Sequence, residues 1–242
     1  MNTTSLLRRA AAEFLGTGLL VTVVVGSGIA AQRLSTDVGL RLLENSTATV
    51  FGLGVLILLL GPVSGAHFNP AVSLADALLG RRAGTGLPGR ALIVYVAAQV
   101  VGGIGGSLLA NLMFEVPTAI ATTERTTAGT LLGEVIATAG LVLLITGLTR
   151  AGRPLPVIAA AIACYIGAAY WFTSSTSFAN PAVTIGRTFT DTFAGIAPGS
   201  VLPFLAAQLV GSALGIAAAV LLFPTRVSAV ASEPVLVKES VA

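Results

Sequence analysis

Six stretches of the sequence are long and apolar enough to cross a membrane as helices. A helical crossing of the hydrocarbon core needs roughly 20 mostly apolar residues. Hydrophobic residues make up 55% of the chain and charged residues only 10%, whereas about a quarter of the residues in soluble domains are charged. The alternating pattern of an outer-membrane barrel strand does not occur. The sequence therefore predicts an all-α membrane protein, with spans near residues 10–31, 47–63, 88–111, 130–149, 154–172 and 201–223.

The positions of Lys and Arg predict the orientation of these spans. An even number of spans places both termini on one side, and cytoplasmic loops are enriched in Lys and Arg. We therefore predict a multi-pass protein of the cell membrane with both termini in the cytoplasm. The net charge of +3 then reflects topology, and the sequence contains no basic stripe with interleaved aromatics that would indicate a nucleic-acid partner. The terminal side holds Arg8, Arg9, Arg81, Arg82, Arg90, Arg150, Arg153, Arg226 and Lys238, and the opposite side holds Arg33, Arg41, Arg125 and Arg187.

The chain is internally duplicated. A Glu in the first span, an Asn-Pro-Ala triplet after the second and a Gln in the third recur in the same order in the second half. Because each half has three spans, the second half starts from the opposite face of the membrane, so the repeats are inverted. Inverted repeats usually place a site near the membrane midplane. We predict a first repeat over residues 1–115, a connecting loop over 116–125, a second repeat over 126–228 and a mobile tail over 229–242.

The two Asn-Pro-Ala triplets predict two short helices that do not span the membrane. Asn is a favoured N-cap, and Pro fits the first position of a helix because it lacks an N–H. The segments 69–79 and 180–188 are too short to cross, and each follows a stretch rich in Gly, Ser or Thr. Non-helical backbone at membrane depth must be packed in protein or line water. The sequence therefore predicts two re-entrant half-helices that enter from opposite faces and bring their positive N-terminal ends to the centre.

With these landmarks the chain resembles the aquaporin and aquaglyceroporin family, the major intrinsic proteins, over nearly its whole length. The resemblance implies a homotetramer in the bilayer, with one pore per subunit through which water or small uncharged solutes move passively. It also implies that the Asn amides donate to the permeant molecule and that the buried Glu and Gln residues brace the re-entrant loops. The pore motifs are Asn69, Pro70, Ala71 and Asn180, Pro181, Ala182; the bracing residues are Glu13, Glu134, Gln99 and Gln208; the pore-lining loop residues are His67 and Phe68.

The resemblance also locates a four-residue selectivity filter on the outer side of the pore. Carrying the family pattern across without gaps gives Thr49, Ala168, Ser177 and Val183. Here the chain departs from the family, which usually has an Arg where Val183 stands. A small, neutral filter predicts a wider constriction with a weaker barrier to cations and protons. Such a filter indicates an unusual, bacterial-type member of the family that admits solutes larger than water.

Two residues near this filter have two possible roles each. Arg187 follows Val183 by one helical turn and is placed either at the outer mouth or at the membrane interface in a pair with Asp191. Its counterpart in the first half-helix is Asp76, on the cytoplasmic side. Cys164, the only cysteine, either faces the lumen or packs as a small hydrophobe.

We interpret the chain as a passive channel for small uncharged solutes such as water and glycerol-like polyols, with arsenite and organoarsenicals as further candidates. The alternative is an ion-coupled secondary transporter, for which Glu13 and Glu134 are the only titratable candidates at the midplane; a closed channel kept for junctions or adhesion is a third class. The sequence holds no nucleophile–base pair, and one His and one Cys cannot form a metal cage. We therefore expect neither an enzyme nor a cofactor.

Overall fold

The structure, a computed structural model, describes residues 4–81 and 84–223. The described ranges contain eight α-helices, six of them long and apolar enough to span a membrane. The predicted all-α fold with six spans and two short half-helices is thereby confirmed. Arg82, Arg226, Lys238, the end of the second repeat over 224–228 and the tail over 229–242 lie outside the described residues. The helices are α1 Leu6–Leu34, α2 Val38–Ser64, α3 Pro70–Gly80, α4 Gly89–Met113, α5 Ala128–Arg150, α6 Leu155–Phe172, α7 Pro181–Gly186 and α8 Pro198–Leu222.

Several boundaries differ from the sequence prediction, among them both ends of α1, the start of α2 and the end of α7. Helix α2 begins at Val38, well before the predicted start at residue 47, because the Asp37 side chain caps it by accepting from Leu40 N. Polar residues in its first turns lower the local hydropathy, so the hydropathy pattern did not predict this extension. Helix α7 ends at Gly186, before the predicted end at residue 188, and the chain continues as a 3₁₀ turn over Arg187–Phe189. Such tightening is common at helix ends.

The two halves have matching packing. Helix α1 packs against α4 in the first half, and α5 packs against α8 in the second. At both crossings glycines of the later helix lie against backbone carbonyls of the earlier one. A Cβ atom added at Gly102 or Gly106 would lie 2.3 or 2.2 Å from a carbonyl oxygen of α1, and one added at Gly211 or Gly215 would lie 2.5 or 2.6 Å from one of α5. Small residues of this kind let membrane helices approach closely.

The outer surfaces of the long helices are apolar and exposed. Phe51, Ile93 and Leu202 expose 69%, 72% and 75% of their surface. In water such surfaces would promote aggregation, but against lipid tails they carry no penalty. The polar groups of the described helices are instead turned inward, where α3 and α7 meet.

Candidate pore

The two half-helices meet through their Asn residues. Asn69 Nδ2 donates to the carbonyl of Ala179 at 2.7 Å, and Asn180 Nδ2 donates to the carbonyl of Phe68 at 2.8 Å. Each Asn Oδ1 accepts from the first turn of its own helix, at Ala71 N in α3 and at Ala182 N in α7. Because an amide nitrogen carries two hydrogens, one N–H of each Asn remains for a molecule in the cavity that both residues line.

The loops that precede the two Asn residues have matching backbone conformations. Non-glycine residues have positive φ at Ala66 and Phe68 in the first loop and at Ser177 and Ala179 in the second, at the same distances before their Asn. This left-handed conformation costs roughly 1–2 kcal/mol per L-residue. It persists only where the surrounding structure holds it. The loops therefore need bracing from outside.

Two buried carboxylates supply this bracing. Glu13 accepts from His67 N at 3.0 Å and from Phe68 N at 2.7 Å. Glu134 accepts from Phe178 N and Ala179 N, both at 2.8 Å. Both carboxylates are fully buried, and neither lines the cavity. Their acceptor oxygens are thus used to fix the loop backbone.

The two Gln residues connect each carboxylate to its half-helix. Gln99 Nε2 donates to Glu13 Oε2 at 2.7 Å and to Ser73 Oγ at 2.9 Å. Gln208 Nε2 donates to Glu134 Oε2 at 2.6 Å and to Thr184 Oγ1 at 2.9 Å. Ser73 and Thr184 occupy the same position in their half-helices, four residues after Asn69 and Asn180.

His67 is oriented by this network and lines the cavity. Its Nδ1 lies 3.0 Å from Ser73 Oγ. Ser73 Oγ also accepts from Gln99 Nε2, so the His67 ring is linked through Ser73 and Gln99 to the Glu13 brace. Sequence reasoning missed Tyr95 and Arg9, which extend the bracing: Tyr95 OH donates to the carbonyl of Ser64 at 2.8 Å, and Arg9 Nε donates to Tyr95 OH at 2.7 Å.

The cavity has a volume of about 460 Å³ and passes both Asn residues. Asp76 and Thr149 line one end, and Thr49, Tyr170 and Arg187 line the other. Between them polar groups come from the two loops, and much of the remaining wall is aliphatic. The aliphatic residues of α1, α2, α5 and α6 in the wall include Leu20, Val24, Leu53, Ile57, Leu141, Ile145, Ile162 and Ile166.

The structure places three of the four predicted filter residues at the cavity wall. Thr49, Ser177 and Val183 line it, but Ala168 does not. Ala168 lies on the exposed outer face of α6, so its assignment to the filter requires correction. Tyr170 lines the cavity instead.

The error has a simple geometric cause. Residues four apart lie on one face of a helix, and Ile162, Ile166 and Tyr170 form the face of α6 that lines the cavity. Ala168 is two residues from this series and therefore points away. The chain between α6 and Asn180 is two residues shorter than the ungapped family placement requires. In the sequence, Tyr170 continues the four-residue spacing of Ile162 and Ile166, and this spacing could have identified it as a cavity-facing residue.

Arg187 lines the cavity at the same end as Thr49 and Tyr170. It is 4% exposed, and its Nε donates to the carbonyl of Ala194. Its Cζ lies 3.5 Å from the centroid of the Phe178 ring. The alternative pair with Asp191 is not what the structure shows, since the Asp191 carboxylate accepts from Thr122 N at 2.9 Å and Thr122 Oγ1 at 3.0 Å. The expectation of a constriction without fixed charge is thus incomplete.

Thiol chemistry can check the assignment of the α6 face. Cys164 is exposed on the outer side of α6 and does not line the cavity. A small mercurial is therefore expected to leave flux through the natural protein unchanged. It should block flux through Tyr170→Cys, whose thiol would face the lumen, and should leave the matched Ala168→Cys variant active. Flux into proteoliposomes, measured with and without mercurial, gives the answer. Block of Ala168→Cys but not Tyr170→Cys would reverse the assignment.

Two comparisons with known proteins decide the family. Residues 1–177 match the family model described as major intrinsic protein. The chain is 49% identical over 214 residues to the aquaglyceroporin AqpS of Rhizobium meliloti (strain 1021), which covers 88% of each protein. The chain belongs to the major intrinsic protein family. The predicted resemblance is confirmed, and a member of this family is a multi-pass membrane channel for water and small solutes rather than an enzyme.

Other members of the family show more local or more distant similarity. The propanediol uptake facilitator PduF of Citrobacter freundii is 37% identical over 112 residues, which is 46% of this chain and 38% of that protein. The X-ray structure of the aquaglyceroporin from Plasmodium falciparum superimposes with a TM-score of 0.68 and 24% identity, over 88% of this chain and 95% of that one. At that identity the structural match supports the fold alone.

Proposed function

We propose that this member of the family is a passive channel for small uncharged solutes larger than water, with glycerol-like polyols as the principal class. The observation that carries the proposal is Val183 in the cavity wall, directly after the second Asn-Pro-Ala triplet. The family usually has an Arg at this point, whose side chain narrows the pore. A valine leaves the lumen wider there and aliphatic.

The character of the wall supports this choice of solute. Polyols have hydroxyl groups along one edge and C–H groups along the other. The Asn69 and Asn180 amides and the loop carbonyls offer hydrogen bonds on one side, and the aliphatic side chains of α1, α2, α5 and α6 offer apolar contact on the other. The named functions of the relatives, an aquaglyceroporin and a propanediol uptake facilitator, agree with this class. Arsenite and organoarsenicals are included because undissociated arsenite is a neutral trihydroxy molecule.

We further propose that the protein is a homotetramer with one pore per subunit and that both termini are cytoplasmic. The exposed apolar faces of the long helices support burial against lipid and neighbouring subunits. The excess of Lys and Arg on the terminal side supports the orientation. His67 and Asp76 then face the cytoplasmic half of the pore, and Arg187 faces the outer half.

Ion-coupled transport is the less supported alternative. Coupling to protons needs a titratable group at the membrane midplane that a proton can reach from the lumen, and Glu13 and Glu134 are the candidates there. Glu13 and Glu134 do not line the cavity, and both oxygens of each accept hydrogen bonds from loop N–H groups and a Gln. These contacts suit a fixed brace better than a site that exchanges protons during each cycle.

Val183→Arg tests the proposed function. The Arg side chain is expected to lower glycerol and arsenite permeability by about tenfold or more, because it narrows the lumen and adds a charge, while water still passes. Val183→Leu is the matched control, since it adds bulk without charge and is expected to lower glycerol flux less. The measurement is light scattering from proteoliposomes under gradients of water, glycerol and arsenite. Solute entry no faster than in protein-free vesicles would refute the channel, and unchanged selectivity in Val183→Arg would refute the filter assignment.

A further inference from the structure

Loss of the usual filter Arg does not leave the outer end of this pore without charge. Arg187 follows Val183 by one helical turn and lies in the same cavity wall. The 3₁₀ turn over Arg187–Phe189 begins at this residue. Arg187 is 4% exposed and thus lies within the protein, not at the membrane surface.

The Arg187 guanidinium is fixed by neutral groups. Its Nε donates to the carbonyl of Ala194, and its Cζ lies 3.5 Å from the centroid of the Phe178 ring. Asp191, the nearest carboxylate in sequence, is bonded to Thr122. Within the described ranges, the Arg187 charge is therefore held by a carbonyl and an aromatic face and is not neutralised by a hydrogen-bonded carboxylate. A charge in such surroundings acts over a longer distance than one in water.

A second arginine, Arg125, contacts the same Phe178 ring and the same loop but lies outside the cavity wall. Arg125 Cζ lies 5.4 Å from the Phe178 centroid, and its Nε and Nη2 donate to the carbonyls of Gly195 and Phe193 at 2.6 and 2.8 Å. Arg125 does not line the cavity. Burial lowers the pKa of its guanidinium, but an Arg side chain stays protonated in proteins. Three consecutive carbonyls, at residues 193–195, thus receive donors from two arginines, which fixes the segment against which Arg187 lies.

The outer end also offers hydrogen bonds to a neutral solute. Thr49 Oγ1 donates to the carbonyl of Asn45 at 2.8 Å and lies 3.1 Å from Tyr170 OH, which therefore donates to Thr49. The Tyr170 oxygen keeps its lone pairs for an incoming hydroxyl. The Nη groups of Arg187 supply donors, since its hydrogen bond within the described chain uses Nε. A hydroxyl-bearing solute can thus both donate and accept here, whereas a cation meets a positive charge.

We propose that Arg187 is the specificity-determining residue of the outer pore, where it repels cations and donates hydrogen bonds to hydroxyl-bearing neutral solutes, with Tyr170 as the matching acceptor. The proposal rests on the proposed channel function and assigns its selectivity to a position one turn outside the usual one. Val183 sets the width of the pore at this end, and the positive charge of Arg187 disfavours the entry of cations.

Arg187→Gln tests the role of the positive charge separately from the channel function. It keeps an amide donor and removes the positive charge, so sodium entry into proteoliposomes is expected to rise by about tenfold, while glycerol entry changes by less than about threefold. Arg187→Lys keeps the charge and should keep sodium entry low. Arg33→Gln is the matched control, because it removes an exposed guanidinium that does not line the cavity and does not contact Arg187 or its loop. It should leave sodium entry unchanged.

A second pair of variants tests the charge if Arg187→Gln fails to fold. Val183→Asp places a carboxylate four residues before Arg187, at a spacing that allows an ion pair, and Val183→Asn is the uncharged equivalent. Sodium entry should be higher in Val183→Asp. The proposal is overturned if sodium entry is the same in Arg187→Gln and the natural protein, if Arg33→Gln leaks as much as Arg187→Gln, or if the Asp and Asn variants do not differ. A natural protein that passes no solute would refute the channel itself, which is a distinct result.

Discussion

Glu134→Gln is expected to abolish solute flux and to lower the unfolding temperature of the protein in detergent. The carboxylate accepts from Phe178 N, Ala179 N and Gln208 Nε2. A glutamine can accept through one oxygen only, and its NH₂ group would face a donor. Each buried donor left without an acceptor costs about 1–3 kcal/mol. The left-handed residues of the second loop then lose the contacts that hold them, and the carbonyls that line the pore lose their orientation.

Glu115→Gln makes the same chemical change at an exposed position. It is expected to leave both flux and unfolding temperature unchanged. Light-scattering flux and thermal unfolding followed by intrinsic fluorescence measure the two effects on matched preparations. Normal flux through Glu134→Gln, at normal protein yield, would show that the loop does not depend on the carboxylate.

Gly106→Ala is expected to prevent correct assembly of the helices. A Cβ atom at this position would lie 2.2 Å from the carbonyl oxygen of Gly18. A backbone atom cannot move aside as a flexible side chain can, so α1 and α4 must separate. Overpacking of this kind typically costs about 1–3 kcal/mol, and more where backbone is displaced. Because α1 carries Glu13, the displacement also withdraws the brace of the first loop.

The adjacent glycine provides the control. A Cβ atom at Gly105 meets nothing within 4 Å, so Gly105→Ala should give a protein that is as stable as the natural one or slightly more stable. The yield of monodisperse protein on size-exclusion chromatography and the unfolding temperature compare the two variants. Equal behaviour of Gly105→Ala and Gly106→Ala would mean that the close crossing of α1 and α4 is not required.

The internal duplication made much of this architecture predictable. Repeated Glu, Asn-Pro-Ala and Gln landmarks predicted three spans and one half-helix in each half, and the structure has these elements in this order. The family resemblance implied bracing roles for Glu13 and Glu134, at positions where the structure has hydrogen bonds to the loops. A repeat is informative because each copy restricts the interpretation of the other.

The end of the pore that holds Thr49, Tyr170 and Arg187 was the least predictable part. It depends on the length of the chain between α6 and Asn180, and a difference of two residues moved the cavity-facing position from Ala168 to Tyr170. It also depends on a 3₁₀ turn that no sequence pattern indicated, at the residue that places Arg187 in the wall. Both features are properties of backbone path, which apolar periodicity in the flanking helices does not determine.

The reciprocal bonds of the two Asn residues have a consequence for how selection is distributed along the pore. Asn69 is anchored to the second half and Asn180 to the first, so a permeant molecule meets an equivalent pair of donors whichever end it enters from. The centre therefore has no preferred direction. The ends are free to differ, and the equivalent positions hold opposite charges, Asp76 in one half-helix and Arg187 after the other. A centre shared by both halves provides passage, while discrimination among solutes is left to equivalent positions at which the two halves carry different residues.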